Sequence, residues 1–413
     1  MEFKLPYGDG ETSAEVEDSR VLGVIEPPSF ERRNVSELIS ESLAKPHGRP
    51  FADFLAGKKT ILIVVNDLLR PTPTADVLDT LLPELDGVEL KFAVATGSHS
   101  PPDKPSLKKI FGRHYRRHAD GIIGHESKDD ENLRYAGETS RGTSVRYNRI
   151  LWEADGIVNI NSVEPHYFAG YTGGRKSFLP GLAGYKTITK NHSLALEEGS
   201  DLCALDGNPV NEDMEEAAAL VPAEVFSVNL VLDTDNNIVG SYAGGLKESF
   251  REACRYAATK YTFQLKEKAD VVLAAVKRPM SVDLYQTQKV IESAKLALNK
   301  GGVLVFVSSC DEGVGPENYY ALMSSSSNPR NILMSIEQEY KLGYHKAARL
   351  LDILTWADIY GVTELEDKVL QRVFMKPFDS AQEAVDAALA EKGPDAKLLY
   401  MKNAVLTVPV NAR

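Results

Sequence analysis

Apolar runs bounded by turn residues alternate with amphipathic segments along the chain. Residues 60–65 form a continuous, β-branched run of the kind that a parallel sheet buries on both faces. Residues 74–85 have the spacing of an amphipathic helix, with Thr74 at the N-cap position. Further strands are predicted at 88–95, 121–124 and 156–163. This order of strands and helices predicts a doubly wound sheet.

The same alternation returns in the last third of the chain. Residues 271–276 and 302–308 predict buried strands, and residues 282–298 predict the helix between them. The pattern beyond residue 324 is mostly helical, with strand-like stretches at 397–401 and 405–410. We therefore predict an α/β fold of two domains, each with a mainly parallel sheet flanked by helices. The predicted bounds are 1–265 for an N-terminal α/β domain, 266–400 for a C-terminal α/β domain, and 401–413 for a terminal strand that could return to the N-terminal domain.

Composition narrows the class of protein. The 413 residues are 43% hydrophobic and 26% charged, which is ordinary for a folded globular chain of two or three domains. The net charge of −12 provides no basic excess to displace counterions, so we expect no nucleic-acid partner. No apolar run reaches the length of a membrane span. Cys203, Cys254 and Cys310 fit neither a disulfide framework nor a C-x-x-C site, which favours a cytoplasmic location.

The segment from Glu164 to Leu194 carries most of the candidate chemistry. It contains His166, Lys176 and His192, with five glycines between the two histidines. Glycines allow a backbone to approach a ligand closely, imidazoles shuttle protons or bind metals, and a lysine can form a covalent attachment. The loop therefore has the residue types for ligand binding, metal ligation and acid–base work.

The same loop also approaches a P-loop pattern. Residues 170–177 have the outer glycine, the lysine and the serine of G-x-x-x-x-G-K-[ST] at the right spacing. Arg175 stands where the second glycine belongs, and Gly170 lies several residues beyond the predicted strand, whereas a P-loop follows its strand at once. A nucleotide-binding or phosphotransfer protein is accordingly the weaker interpretation.

Polar side chains follow several predicted strands at the point where each strand ends. Asp67 and Arg70 follow the first strand, His99 follows the second in Thr-Gly-Ser-His, and His166 follows 156–163. In the C-terminal domain, Tyr285, Gln286 and Lys289 follow the strand 271–276. Because ligands bind beyond the carboxyl ends of parallel strands, we predict an active site there, in the cleft between the two domains. Each residue taken alone could be structural: Asp67 could bind turn amides and Arg70 could form a surface ion pair.

With these residues in place, the chain resembles the nickel-dependent lactate racemase family over nearly its whole length. The matching segments are Leu5-Pro-Tyr-Gly8, Asp67-Leu-Leu-Arg-Pro-Thr-Pro73, Thr96-Gly-Ser-His99, the loop from Glu164 to His192, and Tyr285-Gln-Thr-Gln-Lys289. The loop is the most specific, because its His, Lys and His have the family's separations of ten and sixteen residues. The resemblance implies a racemase or epimerase of lactate or a related 2-hydroxy acid.

The resemblance also implies a cofactor, the nickel-pincer nucleotide (Ni(II)-pyridinium-3,5-bisthiocarboxylate mononucleotide). Lys176 would attach this cofactor covalently, and His192 would be the nickel ligand supplied by the protein. Other cofactor contacts would come from the segment Asp67, Leu68, Leu69 and Arg70. The implied partners are the 2-hydroxy acid substrate and the proteins that synthesise the cofactor, with no membrane and no nucleic acid.

The remaining implied roles concern the substrate. His99 and His166 would be the paired acid/base residues, suited to an alcohol proton because imidazole titrates near neutral pH. Hydride removal from the substrate would give a planar 2-keto acid that has lost its configuration, so the cofactor would carry the difficult step. The residues implied to bind the substrate are Arg70, Tyr285, Gln286, Lys289 and Trp356.

Two other classes of function remain open at this point. One is the P-loop-like nucleotide-binding or phosphotransfer protein, which nickel bound at about one ion per chain without ATP affinity would exclude. The other is a non-catalytic carrier of the nickel cofactor. The presence of both His99 and His166 argues against the carrier, because a carrier needs no acid/base pair.

Overall fold

A computed structural model describes residues 1–27, 30, 33–70 and 72–411. The chain divides into two compact units, one of residues 29–259 and one made of residues 1–28 together with 260–413. We call these the 29–259 unit and the discontinuous unit. Across the described ranges, no helix has both the length and the apolar character needed to cross a membrane.

The regular elements of the described residues are numbered in chain order. The strands β1 to β20 are Glu2–Tyr7, Gly10–Glu15, Val21–Ile25, Thr60–Asn66, Glu89–Ala95, Ile122–Gly124, Leu133–Glu138, Ser144–Asn148, Gly156–Ser162, Pro165–His166, Gly170–Tyr171, Glu224–Leu232, Ile238–Gly245, Thr262–Leu265, Ala269–Ala275, Leu298–Val307, Asp358–Val362, Lys376–Phe378, Leu398–Lys402 and Val408–Asn411. The helices α1 to α14 are Val35–Ala44, Phe51–Leu55, Thr74–Glu84, Lys104–Phe111, Tyr115–His118, Tyr185–Ser193, Pro209–Ala219, Leu246–Tyr261, Leu284–Ala294, Glu317–Met323, Pro329–Gln338, Tyr344–Ile353, Asp367–Arg372 and Ala381–Lys392.

The 29–259 unit contains a six-stranded sheet in the order β13-β12-β9-β4-β5-β6. All neighbouring pairs are parallel except β12 with β13. One face of this sheet packs into an apolar core, to which β4 contributes Ile61, Ile63 and Val65. The strands predicted at 60–65, 88–95, 121–124 and 156–163 are all confirmed within a residue or two at each end.

The discontinuous unit contains a second six-stranded sheet, β18-β17-β16-β15-β19-β3, whose pairs are all parallel. Alternate residues of β15 enter two different cores: Val272 and Ala274 face one, and Val271 and Leu273 face the other. Because both faces are covered, the strand reads as an uninterrupted apolar run. The predicted α/β fold with mainly parallel sheets is therefore confirmed.

The division of the chain differs from the predicted domains in its first residues. Residues 1–28, predicted to lie in the 1–265 domain, belong with 260–413, because β3 pairs with β19 at the sheet edge. The hairpin of β1 and β2 also buries Phe3 and Leu5 in one of the two cores of this unit. Terminal strand β20 pairs with β14, and both strands belong to the discontinuous unit. Edge pairings over such sequence separations leave no local signal in the pattern.

The chain beyond residue 324 contains less helix than predicted. Strands β17 and β18 continue the sheet beyond β16. Both strands are short, and β17 begins at an exposed aspartate, Asp358, so neither produces a long apolar run.

Helix α9 begins at Leu284, two residues later than predicted, because the carboxylate of Asp283 caps it by accepting the amide N–H of Gln286 at 2.5 Å.

The glycine-rich loop lies against the second face of the 29–259 sheet, where β9 presents asparagines. The side chain of Asn161 accepts the amide N–H of Gly174 at 2.9 Å, and that of Asn159 donates to the Gly174 carbonyl at 3.0 Å. Gly173 and Gly174 have φ of +83° and +53°, and a Cβ on Gly174 would lie 2.6 Å from the ring of Phe250. Only glycine satisfies both the backbone conformation and the close approach.

A buried arginine braces the loop from within. The guanidinium of Arg175 donates to the carbonyls of Ala169 at 2.6 Å, Tyr171 at 2.9 Å and Gly173 at 3.2 Å. It also lies 4.4 Å from the ring centroid of Phe250. Burial lowers the pKa of Arg175 to about 10, which still leaves the side chain charged at neutral pH. Arg175 occupies the position of the second P-loop glycine, and its side chain holds the loop together. This arrangement argues against a cradle for phosphate groups.

We predict that Arg175→Gln lowers the free energy of unfolding by about 3 kcal/mol, because several buried carbonyls lose a charged donor. Chemical denaturation of the purified variant measures this loss. Arg255→Gln is the control, since Arg255 is 67% exposed and pairs with Glu252 on the surface. That control should change stability by less than about 0.5 kcal/mol. Equal stability of the two variants would show that the guanidinium does not brace the loop.

Candidate functional site

Three adjacent parallel strands bring predicted residues to one edge of the 29–259 sheet. β4 lies between β5 and β9, so the segments that follow these three strands leave the sheet on the same side. A cavity of about 120 Å³ occurs here within this unit. Five of the residues predicted from sequence line it: Asp67, Arg70, His99, Lys176 and His192.

Other predicted residues of this unit lie outside the cavity lining. Leu68 and Leu69 are 40% and 58% exposed, and Pro71 of the same motif is outside the described residues. His166 is half-buried on the short strand β10. The cavity thus unites the predicted cofactor-attachment residues with one predicted acid/base residue, and the second lies on the adjoining loop.

A carboxylate orients the imidazole of His99. The Nδ1 atom of His99 lies 2.7 Å from Oδ2 of Asp67. The side chain of Asp67 is only 10% exposed, whereas that of His99 is 47% exposed. Because an ionised carboxylate can only accept, Nδ1 carries the proton that it shares with Asp67. In the neutral ring, Nε2 of His99 then holds a lone pair and can act as a base.

The other histidine has the opposite arrangement. The amide N–H of Ala169 donates to Nδ1 of His166 at 3.3 Å. Nδ1 is therefore an acceptor, so the proton of the neutral ring resides on Nε2. In this neutral form, Nε2–H of His166 can donate a hydrogen bond, whereas Nε2 of His99 offers a lone pair.

An aromatic residue that the sequence did not single out connects the functional side chains. The ring of Phe168 meets His166 edge to face at 4.6 Å and His192 at 5.1 Å between centroids. Nζ of Lys176 lies 5.5 Å from the same ring. Phe168 is buried, so it holds these three side chains in fixed relative positions. Its position in His-Tyr-Phe was the available signal, although an aromatic in a loop usually indicates packing alone.

His192 lies on α6 and is half-buried. Burial lowers the pKa of His192 to about 3, and the positive charges of Lys176 and Arg70 lower it further. The imidazole is therefore neutral at physiological pH, which is the form that binds metals. No cluster of three or more His, Cys, Asp or Glu side chains arranged for a metal occurs among the residues that the structure describes.

Arg70 faces a carboxylate at the edge of the cavity. Its guanidinium is 3.9 Å from Glu164, and both side chains are partly exposed. At this distance and exposure the pair is loose, and such pairs contribute at most about 1 kcal/mol to stability. Arg70 is thus charged beside the cavity without being fixed in a tight ion pair.

The predicted substrate-binding residues belong to the discontinuous unit. Tyr285, Gln286 and Lys289 lie on the first turns of α9, which follows the carboxyl end of β15. The ring of Tyr285 packs edge to face against Tyr319 at 5.2 Å, and Nζ of Lys289 lies 3.4 Å from the sulfur of Met280.

Trp356 lies elsewhere in the same sheet. Its carbonyl accepts the amide N–H of Gly301 at 2.7 Å, near the start of β16, and its chain then enters β17. In a parallel sheet this is the amino edge, opposite the edge from which α9 begins. The structure therefore separates Trp356 from Tyr285, and the prediction that they share a substrate pocket gains no support.

Comparison with known proteins agrees with this architecture. The family model of the lactate racemase N-terminal domain matches residues 7–202, and that of the lactate racemase C-terminal domain matches residues 265–408. A lactate racemase from Thermoanaerobacterium thermosaccharolyticum is 27% identical, covering 98% of each chain. A lactate racemase from Lactiplantibacillus plantarum is 28% identical, covering 95% of this chain and 96% of that protein.

Solved structures give the same result. The lactate racemase apoprotein from T. thermosaccharolyticum superposes with a TM-score of 0.93 at 26% identity, covering 99% of this chain and all of that one. A protein from Thermotoga maritima shares the fold at 18% identity, with a TM-score of 0.70 over 91% of this chain and 98% of its own. With both family domains matched in order along the sequence, the chain belongs to the lactate racemase family, a family of isomerases.

Proposed function

We propose that this enzyme racemises or epimerises a 2-hydroxy acid, lactate or a close relative, by reversible hydride transfer to a nickel-pincer nucleotide. The observation that carries the proposal is the single cavity that joins the Asp67–His99 pair to Lys176 and His192. Membership of the lactate racemase family supports the reaction class. The acid/base pair favours a catalyst over a carrier of the cofactor, because a carrier has no proton to move.

The residues around the cavity fit the proposed cofactor. A neutral, half-buried imidazole at His192 suits Ni(II), and soft sulfur donors brought by the cofactor would complete the set that the described side chains lack. Lys176 lines the same cavity and would supply the covalent link. A cavity of about 120 Å³ is below the roughly 300–1,000 Å³ of pockets that enclose whole ligands, so it would hold part of the nucleotide.

The chemistry divides between the cofactor and the protein. When bound, the cofactor supplies the hydride acceptor that the side chains of the protein cannot provide. Nε2 of His99 takes the hydroxyl proton of one enantiomer, while Asp67 stabilises the imidazolium that forms. On the other side, His166 in its imidazolium form returns a proton from Nε2 to the oxygen, and in that form its Nδ1 no longer accepts the amide N–H of Ala169. In the opposite direction the two histidines exchange roles.

Carboxylate recognition falls to cationic and amide side chains. Lys289 and Gln286, one turn apart on α9, would hold the substrate carboxylate, and Arg70 would assist with its fork of donors. A fixed carboxylate provides the pivot about which the two enantiomers differ. The proposal also includes a cytoplasmic location and dependence on the proteins that synthesise the cofactor.

Asp67→Asn should lower kcat in both directions by about 10²–10⁴-fold, because an amide at this position can favour the wrong tautomer of His99. Initial rates from each enantiomer, with thermal melting as a check on folding, measure this effect. Asp103→Asn is the matched control, since Asp103 caps α4 and asparagine caps helices equally well. An unchanged kcat in Asp67→Asn would assign Asp67 a role other than orienting His99.

His192→Ala should abolish nickel retention while leaving the fold intact, because the variant loses the nickel ligand that the protein provides. Metal analysis of protein prepared with the cofactor-synthesis machinery measures the nickel content. His166→Ala is the control and should keep its nickel while losing racemisation. Unchanged nickel in His192→Ala would contradict the metal assignment.

Lys176→Ala should lose the mass increment of the covalently attached cofactor, because it lacks the amine that would form the link. Intact-protein mass spectrometry measures this loss.

A screen of single enantiomers of 2-hydroxy acids, protiated and deuterated at C2, tests the reaction itself. We expect at least one acid to be inverted by loaded enzyme, with the C2 label retained through many turnovers in ordinary water. Retention follows because an imidazole can take an alcohol proton but is too weak a base to take a proton from carbon beside an ionised carboxylate. Washout of the label at the rate of racemisation would replace hydride transfer with a two-base proton mechanism.

A further inference from the structure

A buried amine lies under the first turn of α9. Lys346, the third residue of α12, is only 3% exposed. Its Nζ donates to the carbonyl of Tyr285 and lies 3.6 Å from the centroid of that tyrosine's ring. Its own carbonyl accepts a side-chain N–H from Gln288 at 2.6 Å, so α12 and α9 are joined in two places.

Two glycines close around the same tyrosine. A Cβ on Gly315 would lie 2.6 Å from Cβ of Tyr285, and a Cβ on Gly343 would lie 3.3 Å from its hydroxyl oxygen. Together with the amine and the edge of Tyr319, these contacts restrict the tyrosine on several sides. Tyr285 is therefore held in one place on the turn that also carries Gln286 and Lys289.

Burial and a neighbouring charge disfavour protonation of the Lys346 amine. Burial lowers the pKa of Lys346 well below its usual range, and the charge of Lys289 lowers it further, whereas Asp283 and Glu292 act in the opposite direction. Glu292 cannot neutralise the amine fully, because both of its oxygens accept from Arg349, at 3.0 and 2.9 Å, and one also pairs with Lys295 at 2.8 Å.

The helix does not require this amine. The carbonyl of Tyr285 lies inside α9, where the backbone N–H four residues later is its ordinary partner. Burying an amine costs free energy, which burying an apolar side chain of similar length would not. A group that the fold does not need points to a functional reason for its presence.

We propose that Lys346 is a positioning residue, which holds Tyr285 and the first turn of α9 in the geometry that receives the carboxylate of the 2-hydroxy acid. This inference rests on the proposed function, because it takes Gln286 and Lys289 as the carboxylate-binding residues. Lys346 acts through Tyr285 and need not touch the substrate.

Steady-state kinetics of the cofactor-loaded enzyme test the proposal through Lys346→Met, which keeps the length of the side chain and removes the amine. We expect KM to rise about tenfold in both directions with kcat changed less than about threefold, because loss of positioning weakens binding of ground state and transition state alike. Lys295→Met is the matched control. It removes an amine just beyond the far end of α9 and should leave KM unchanged while lowering stability, since Lys295 pairs with the buried Glu292.

The pH dependence of stability separates this role from simple packing. An amine whose pKa is lower in the folded state than in the unfolded state makes the folding equilibrium constant rise about tenfold per pH unit, between its folded pKa and its unfolded pKa of about 10.4. Stability is therefore lowest below that window and rises with pH through it. Lys346→Met should remove this increment, and Lys295→Met should retain it.

The outcomes distinguish the inference from the proposed function. Unchanged KM in Lys346→Met, an equal rise of KM in Lys295→Met, or a loss of kcat at constant KM would each overturn the positioning role. If Lys346→Met does not fold, Lys346→Gln, which keeps a shorter donor, decides by the same KM measurement. Failure of the loaded wild-type enzyme to invert any 2-hydroxy acid would instead overturn the proposed function, while the pH experiment would still report on the buried amine.

Discussion

The site depends on how a polar loop is buried against a sheet. Asn159 and Asn161 of β9 bind the backbone of Gly174, and the guanidinium of Arg175 gathers three carbonyls of the same loop. An unpaired polar group in such a place costs roughly 1–3 kcal/mol, so these bonds fix one conformation strongly. Lys176 follows Arg175 directly, and its position beside the cavity is a consequence of that bracing.

The two histidines illustrate how neighbours determine chemistry. Both rings could exist as either tautomer, and neither sequence position specifies which one is present. A carboxylate beside Nδ1 of His99 and a backbone N–H beside Nδ1 of His166 select opposite forms. A reaction that removes a proton on one side and returns it on the other needs one ring neutral and the other protonated at the start, and the pair regains its first protonation state after one turnover in each direction.

The sequence predicted the parts of the site that local pattern determines. Residues at strand ends could be placed, because parallel neighbours must leave a sheet on the same side, and Asp67, His99 and Lys176 do line one cavity. The pairing of Asp67 with His99 could not be predicted from the sequence, since it depends on loop conformations after two different strands. The role of Phe168 was missed for the same reason.

Long-range pairings account for the other differences. The association of residues 1–28 with the discontinuous unit rests on β3 meeting β19, which are separated by most of the chain. Trp356 matched a residue type expected near a substrate, but type alone does not say at which edge of a sheet a residue lies. The roles predicted for Gln286 and Lys289 stay predictions, because they concern a ligand and not the fold.

Arg175 and Lys346 are both buried basic side chains, and their different partners shift their pKa values to different extents. Arg175 has three carbonyl acceptors and the face of Phe250, and it keeps its proton at neutral pH. Lys346 contacts the backbone carbonyl and the ring of Tyr285, lies near another lysine, and has a pKa well below its usual range. The first arrangement stabilises a loop, so the fold itself explains it. The second gives the fold little, which is why we assign its purpose to the helix turn that it holds.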